Sequence, residues 1–135
     1  MHREQKGFTL IELLIVIIIL AVLTGIAIPT YRVITARARE SAVENEMINI
    51  AKALEMHQTD LQAYPLTGDY PDPLEDNDYM ENIPEEDVWG NDYIYSSDGS
   101  GYSLESYGIN GINGGNDDIV ITNGVLTEDG AYENR

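Results

Sequence analysis

From Phe8 to Ile28 the chain runs 21 residues with only Thr9, Glu12, Thr24 and Gly25 interrupting an aliphatic series. At about 1.5 Å per residue, a helix of that length matches the ~30 Å hydrocarbon layer of a bilayer. The run is predicted to be a membrane-spanning helix. His2, Arg3 and Lys6 precede it, and positive charge on that flank predicts that residues 1–7 stay cytoplasmic while the rest is exported. A secretory signal peptide would end in a small-residue cleavage site after a shorter apolar core. Here Ala27-Ile28-Pro29-Thr30-Tyr31 follows without one, so the segment is expected to be retained.

Glu12 is the fault in the run. A carboxylate in hydrocarbon costs several kcal/mol unless it finds a partner. Either it lies close enough to the interface to stay wet, or another subunit supplies a cation. The α-amino group of a neighbour's Phe8 has the right sign and size, but exists only if residues 1–7 are removed. Pro29 lacks a backbone donor and Gly25 weakens the same stretch, so a local kink or melting of the helix is expected there.

The remainder of the chain is acidic. The formal net charge is −17, six of the seven Lys and Arg lie at or before Lys52, and residues 53–134 carry 19 Asp and Glu with no Lys or Arg. Such a balance excludes a nucleic-acid surface, which needs clustered cations. It also leaves a self-repelling domain that bound cations would relieve. With no cysteine, neither disulfides nor thiolate metal sites brace it, so a divalent cation or a modest core must do so.

Four segments follow. Residues 1–7 form a leader and 8–30 the apolar helix. Over residues 31–62, Val33, Ile34, Ala38, Ala42, Val43, Met47, Ile50, Ala51, Leu54 and Leu61 recur at helical spacing, predicting an amphipathic continuation. Its other side carries Arg37, Arg39, Glu40, Glu44, Glu46 and Lys52, read as a solvated face whose charges also suit contacts between helices and acidic domains in an assembly. Residues 63–135 form an acidic globular domain. It opens with a loop of about 20 residues punctuated by Pro. Short strands are predicted over 92–95, 101–107 and 118–122, the first two joined by a hairpin through Ser97-Asp98-Gly99-Ser100-Gly101. The fold class is α+β, a long helix packed on a small antiparallel sheet.

Between the last two strands, Gly108-Ile109-Asn110-Gly111-Ile112-Asn113-Gly114-Gly115-Asn116-Asp117-Asp118 reads either as an ordinary turn or as a source of the hard oxygen donors that calcium takes at about six to eight positions. It is not an EF-hand, whose acidic ligands alternate and end in Glu.

Lys6-Gly7-Phe8-Thr9-Leu10-Ile11-Glu12-Leu13-Leu14-Ile15-Val16 resembles the prepilin motif of type IV pilins and type II secretion pseudopilins. Asp87-Val88-Trp89-Gly90-Asn91-Asp92-Tyr93 and Tyr102-Ser103-Leu104-Glu105-Ser106-Tyr107-Gly108 resemble stretches of the major pseudopilin of type II secretion. Together these touch about half the chain. The resemblance implies a type IV pilin fold, cleavage between Gly7 and Phe8 by a prepilin peptidase, N-methylation of Phe8, and pairing of Glu12 with that terminus during assembly. Pro29 and Tyr31 fall where the family places a helix-loosening proline and a following aromatic.

The resemblance also implies a structural calcium, whose ligands carried over by position are the carbonyl of Leu104, with Ser106, Asn110, Asp117 and Asp118. Asn110 stands where the family has an aspartate, which removes one charge, and Val88 replaces a proline. Trp89 is read as a core anchor. The implied partners are further copies of the chain in a helical homopolymer, the peptidase, an inner-membrane platform protein, an assembly ATPase and minor pseudopilins. The implied location is the bacterial inner membrane, single-pass, with a periplasmic domain.

Catalysis has little to work with: His2 and His57 are the only histidines, and no nucleophile with a base, phosphate loop or zinc cluster appears. The expected function is a structural subunit of a secretion pseudopilus. The alternatives are a surface pilus for adhesion, motility or electron transfer, and a monomeric membrane-anchored domain.

Overall fold

A computed structural model describes residues 7–130. The leader residues 1–6, with His2, Arg3 and Lys6, lie outside the described residues, as do residues 131–135 of the acidic domain. The elements are α1 (Leu10–Leu61), α2 (Asp72–Asp76), β1 (Ile94–Ser97), β2 (Tyr102–Ser106), β3 (Ile119–Thr122) and β4 (Val125–Asp129). The chain divides into two compact units, residues 1–36 and 37–135.

The first unit is the apolar part of α1. Its large apolar side chains between residues 10 and 28 are all uncovered, from 85% exposure at Leu10 to 46% at Val16. By length and composition the helix is able to cross a membrane. Of the kink or melting expected around Gly25 and Pro29, melting is absent: α1 continues through both. Pro29 removes one donor from a 52-residue ladder, and hydroxyls on either side add bonds to it: Thr24 Oγ1 donates to Leu20 O at 2.7 Å and Thr30 Oγ1 to Ile26 O at 3.1 Å.

In the second unit the later part of α1 packs on the sheet. Val43, Met47, Ile50 and Leu54, spaced by four, three and four, are wholly buried, as helical periodicity requires. Opposite them, Leu104, Ile119 and Ile121 project inward from β2 and β3, and β2 alternates buried and half-buried positions along its length. The expected face is narrower than predicted: Val33, Ile34, Ala38, Ala42 and Leu61 are exposed, whereas Ala53, His57 and Glu40 are buried. His57 Nδ1 lies 2.8 Å from Ala63 O, which gives this ring a structural partner.

The sheet is an antiparallel meander in the order β1-β2-β3-β4, one strand more than predicted. β3 and β4 are joined by Asn123-Gly124, whose φ values of 49° and 78° suit the tight turn that Asn-Gly favours. The long loop also differs from expectation, since α2 forms within it after Pro71 and buries Leu74 completely. The β1–β2 connection is as expected, with Asp98 Oδ1 accepting from Ser100 N, Ser100 Oγ and Gly101 N.

Candidate functional site

The start of α1 is built by two residues. Glu12 Oε2 accepts from Thr9 N and from Thr9 Oγ1, each at 2.8 Å, while Glu12 N donates to Thr9 Oγ1 at 3.3 Å. This is a reciprocal cap, in which a hydroxyl and a carboxylate three residues apart satisfy the donors that a helix start leaves open. It gives Glu12 a local partner that the sequence reading did not foresee, although Thr-x-x-Glu ahead of an apolar run was the signal. Both bonds to the carboxylate fall on Oε2.

Gly7 precedes this cap. A β-carbon there would meet no heavy atom within 4 Å, and its φ lies outside the left-handed region. The fold places no steric demand for glycine at this position.

The second candidate site is the loop from Tyr107 to Asp118. Gly108 has φ +61°, and a β-carbon on it would lie 2.0 Å from Asp117 O. Only glycine lets the two ends of the loop close on each other. Asp117 Oδ2 accepts from Asn110 N at 2.9 Å and Asp117 Oδ1 from Asn110 Nδ2, while Asn110 Oδ1 accepts from Ile112 N at 2.6 Å. Asp118 Oδ2 accepts from Gly114 N at 2.7 Å, but its Oδ1 is buried without a hydrogen-bond partner.

Thus Asn110, Asp117 and Asp118 come together around one loop. Ser106 sits at its base, wholly buried, with Oγ donating to Asp87 Oδ2 at 2.7 Å and accepting from Gly108 N at 3.3 Å. Leu104 stands apart in mid-strand, paired with Tyr95 and Ile121, its side chain in the core.

Asp87 is the residue that the sequence reading left without a role. Only 6% exposed, it accepts from Trp89 N and Asn91 N at Oδ1 as well as from Ser106. Asn91 in turn donates from Nδ2 to Gly108 O at 2.8 Å. The Asp-Val-Trp-Gly-Asn turn therefore buttresses the glycine loop, and Trp89 lies half-buried against the core.

The donor set suits a hard cation. Asp117 and Asp118 are 6% and 8% exposed, no Lys or Arg occurs between residues 53 and 130 to balance them, and the unpartnered Asp118 Oδ1 is a buried acceptor in need of one. Among the described residues no three His, Cys, Asp or Glu side chains converge, so a cation would take amide, hydroxyl and carbonyl oxygens as well, as calcium does.

Comparison with known proteins bears on both sites. The family described as Type II secretion system (T2SS), protein G matches residues 33–124, and the prokaryotic N-terminal methylation motif matches residues 2–28. The chain is 31% identical over 131 residues to the Type II secretion system core protein G of Pseudomonas aeruginosa, covering 86% of this chain and 92% of that protein. The protein of the same name from Escherichia coli is 31% identical, with 87% and 90% covered. That from Aeromonas hydrophila is 30% identical, with 87% and 92% covered. No solved structure matches the chain significantly.

Proposed function

Because the chain belongs to the Type II secretion system protein G family, we propose that it is the major pseudopilin of a secretion pseudopilus, a structural subunit held in the inner membrane by the apolar part of α1. The observation that carries this reading is an uncovered apolar helix that begins on a capped Glu12 and ends on a folded acidic domain. In a bilayer that helix is solvated by lipid. In a filament the same surface is covered by the helices of other copies, so one segment serves both as anchor and as filament core.

Processing at Gly7 by a prepilin peptidase frees the α-amino group of Phe8, and Glu12 of an adjacent copy pairs with it. Departure of Glu12 from its own Thr9 is offset by a charged partner in a medium of low dielectric constant, which favours the exchange. The positive flank of the leader orients the acidic domain to the periplasm. The platform protein, assembly ATPase and minor pseudopilins complete the set of partners. The Tyr107–Asp118 loop holds a structural calcium, whose charge offsets Asp117 and Asp118, with Asn110 and Ser106 as further donors carried over by position; the Leu104 carbonyl, carried over likewise, belongs to the paired strand β2.

The test is to express the full chain in a strain whose secretion machinery lacks its own protein G. Cleavage after Gly7, envelope-confined filaments and restored secretion are expected. Long surface filaments without secretion would favour a surface pilus. Restored secretion by an uncleavable Gly7→Phe chain would overturn both readings in favour of a monomeric anchored domain.

A further inference from the structure

We infer that Arg37 and Arg39 form the contact by which one copy of this chain holds the acidic segment 69–86 of a neighbouring copy. This rests on the filament reading above and specifies its subunit interface.

Both arginines are exposed on α1 in the second unit, and neither has a hydrogen bond or ion pair to another described residue. The rest of that unit offers little competition for anionic partners, because Lys52 is its one other cation among the described residues. Its Nζ leans on Asn49 Oδ1 at 3.4 Å. Residues 69–86 carry eight Asp and Glu, all exposed, with Asp72 and Asp76 at the two ends of α2. Copies of so acidic a domain repel one another unless cations of one meet carboxylates of the next. Arg37 and Arg39 are the available ones, and Arg suits carboxylates by its planar fork of donors.

Membrane lipid is the competing partner. Arg37 and Arg39 follow Ile28, the last residue of the apolar run, by nine and eleven positions, so they lie outside the segment that hydrocarbon solvates.

The experiment reverses the charges in the full chain, in cells carrying the secretion machinery. Arg37→Glu with Arg39→Glu is expected to lower filament yield roughly ten-fold, the loss of two exposed ion pairs per contact, with cleavage after Gly7 and membrane insertion unchanged. Adding Asp72→Arg and Asp76→Arg to the same chain should restore most of the yield. Unchanged yield on reversing the arginines overturns the inference. So does loss without rescue, and where that loss accompanies weaker binding to phosphatidylglycerol vesicles the arginines contact lipid instead. The unaltered chain is the control for the filament itself: if it forms none, the functional reading fails first and takes this contact with it.

Discussion

Tyr93 donates its hydroxyl to Glu46 Oε2 at 2.6 Å, joining the residue before β1 to the middle of α1 across 47 positions of sequence. Tyr64 does the same to Glu55 Oε1 at 2.9 Å and Tyr79 to Asp60 Oδ2 at 2.9 Å. Three carboxylates along the later part of one helix thus pin three tyrosines of the domain to it.

The Tyr93 pair sets an order among variants. Tyr93→Phe removes the donor and leaves a half-exposed carboxylate free to hydrate, so a loss of about 1 kcal/mol is expected. Glu46→Ala strands a hydroxyl on a residue only 7% exposed and should cost more, about 2–3 kcal/mol. Denaturant unfolding of the second unit checks this, and the reverse order would show that the bond contributes little.

Tyrosine burial also fixes the alkaline limit of stability. Burial first, then the bond to Glu55 and its charge, pushes Tyr64 from 10.0 up to about 12, and burial likewise raises Tyr70, Tyr93 and Tyr102. The folded state keeps these protons when the unfolded chain has lost them. Stability is therefore fully present below pH 10 and falls as the pH rises from there toward 12. Tyr64→Phe should make that decline shallower, and an unchanged slope in melting temperature against pH would remove Tyr64 as a contributor.

At the helix start, Glu12→Ala is expected to leave membrane insertion intact or easier, since a carboxylate is lost from hydrocarbon, while filament assembly slows. Thr9→Val breaks the cap but keeps the carboxylate, so it should weaken the first turn by about 1 kcal/mol with assembly retained. Normal filament yield from Glu12→Ala would falsify the role given to that residue.

For the loop, millimolar calcium is expected to raise the melting temperature of the second unit, by about 2.7 kcal/mol of stabilisation at a hundred-fold excess over Kd. Asp118→Ala removes the orphaned Oδ1 and should abolish the rise, as should Asp117→Ala. An unchanged calcium response in either variant takes that aspartate out of the site, and a chelator without effect on the unaltered chain removes the metal.

Much of this was legible in the sequence because it is periodic or local. The apolar run and the spacing of Val43, Met47, Ile50 and Leu54 are written directly in the residues, as is the Asp98 turn. The buried Glu40 was misread as solvated because helical period alone does not reveal that Gly130 lies against it, close enough that a β-carbon there would stand 2.5 Å from Glu40 Oε1. β4 was missed because Val125 is 62% exposed, so its strand lacks the burial pattern sought, although Asn123-Gly124 announced a hairpin. α2 is only five residues long and buries a single leucine, too short for any period. Asp87 escaped notice because its importance lies in Ser106 and Asn91, which only the tertiary fold brings to it.

The plain meander has a kinetic meaning. Every strand of the sheet pairs with the strand beside it in sequence, across connections of four, twelve and two residues, and such local contacts form quickly. A chain that emerges from its N-terminal end meets each partner strand already in place. With no cysteine to require oxidation, the domain is expected to fold in the order in which it emerges.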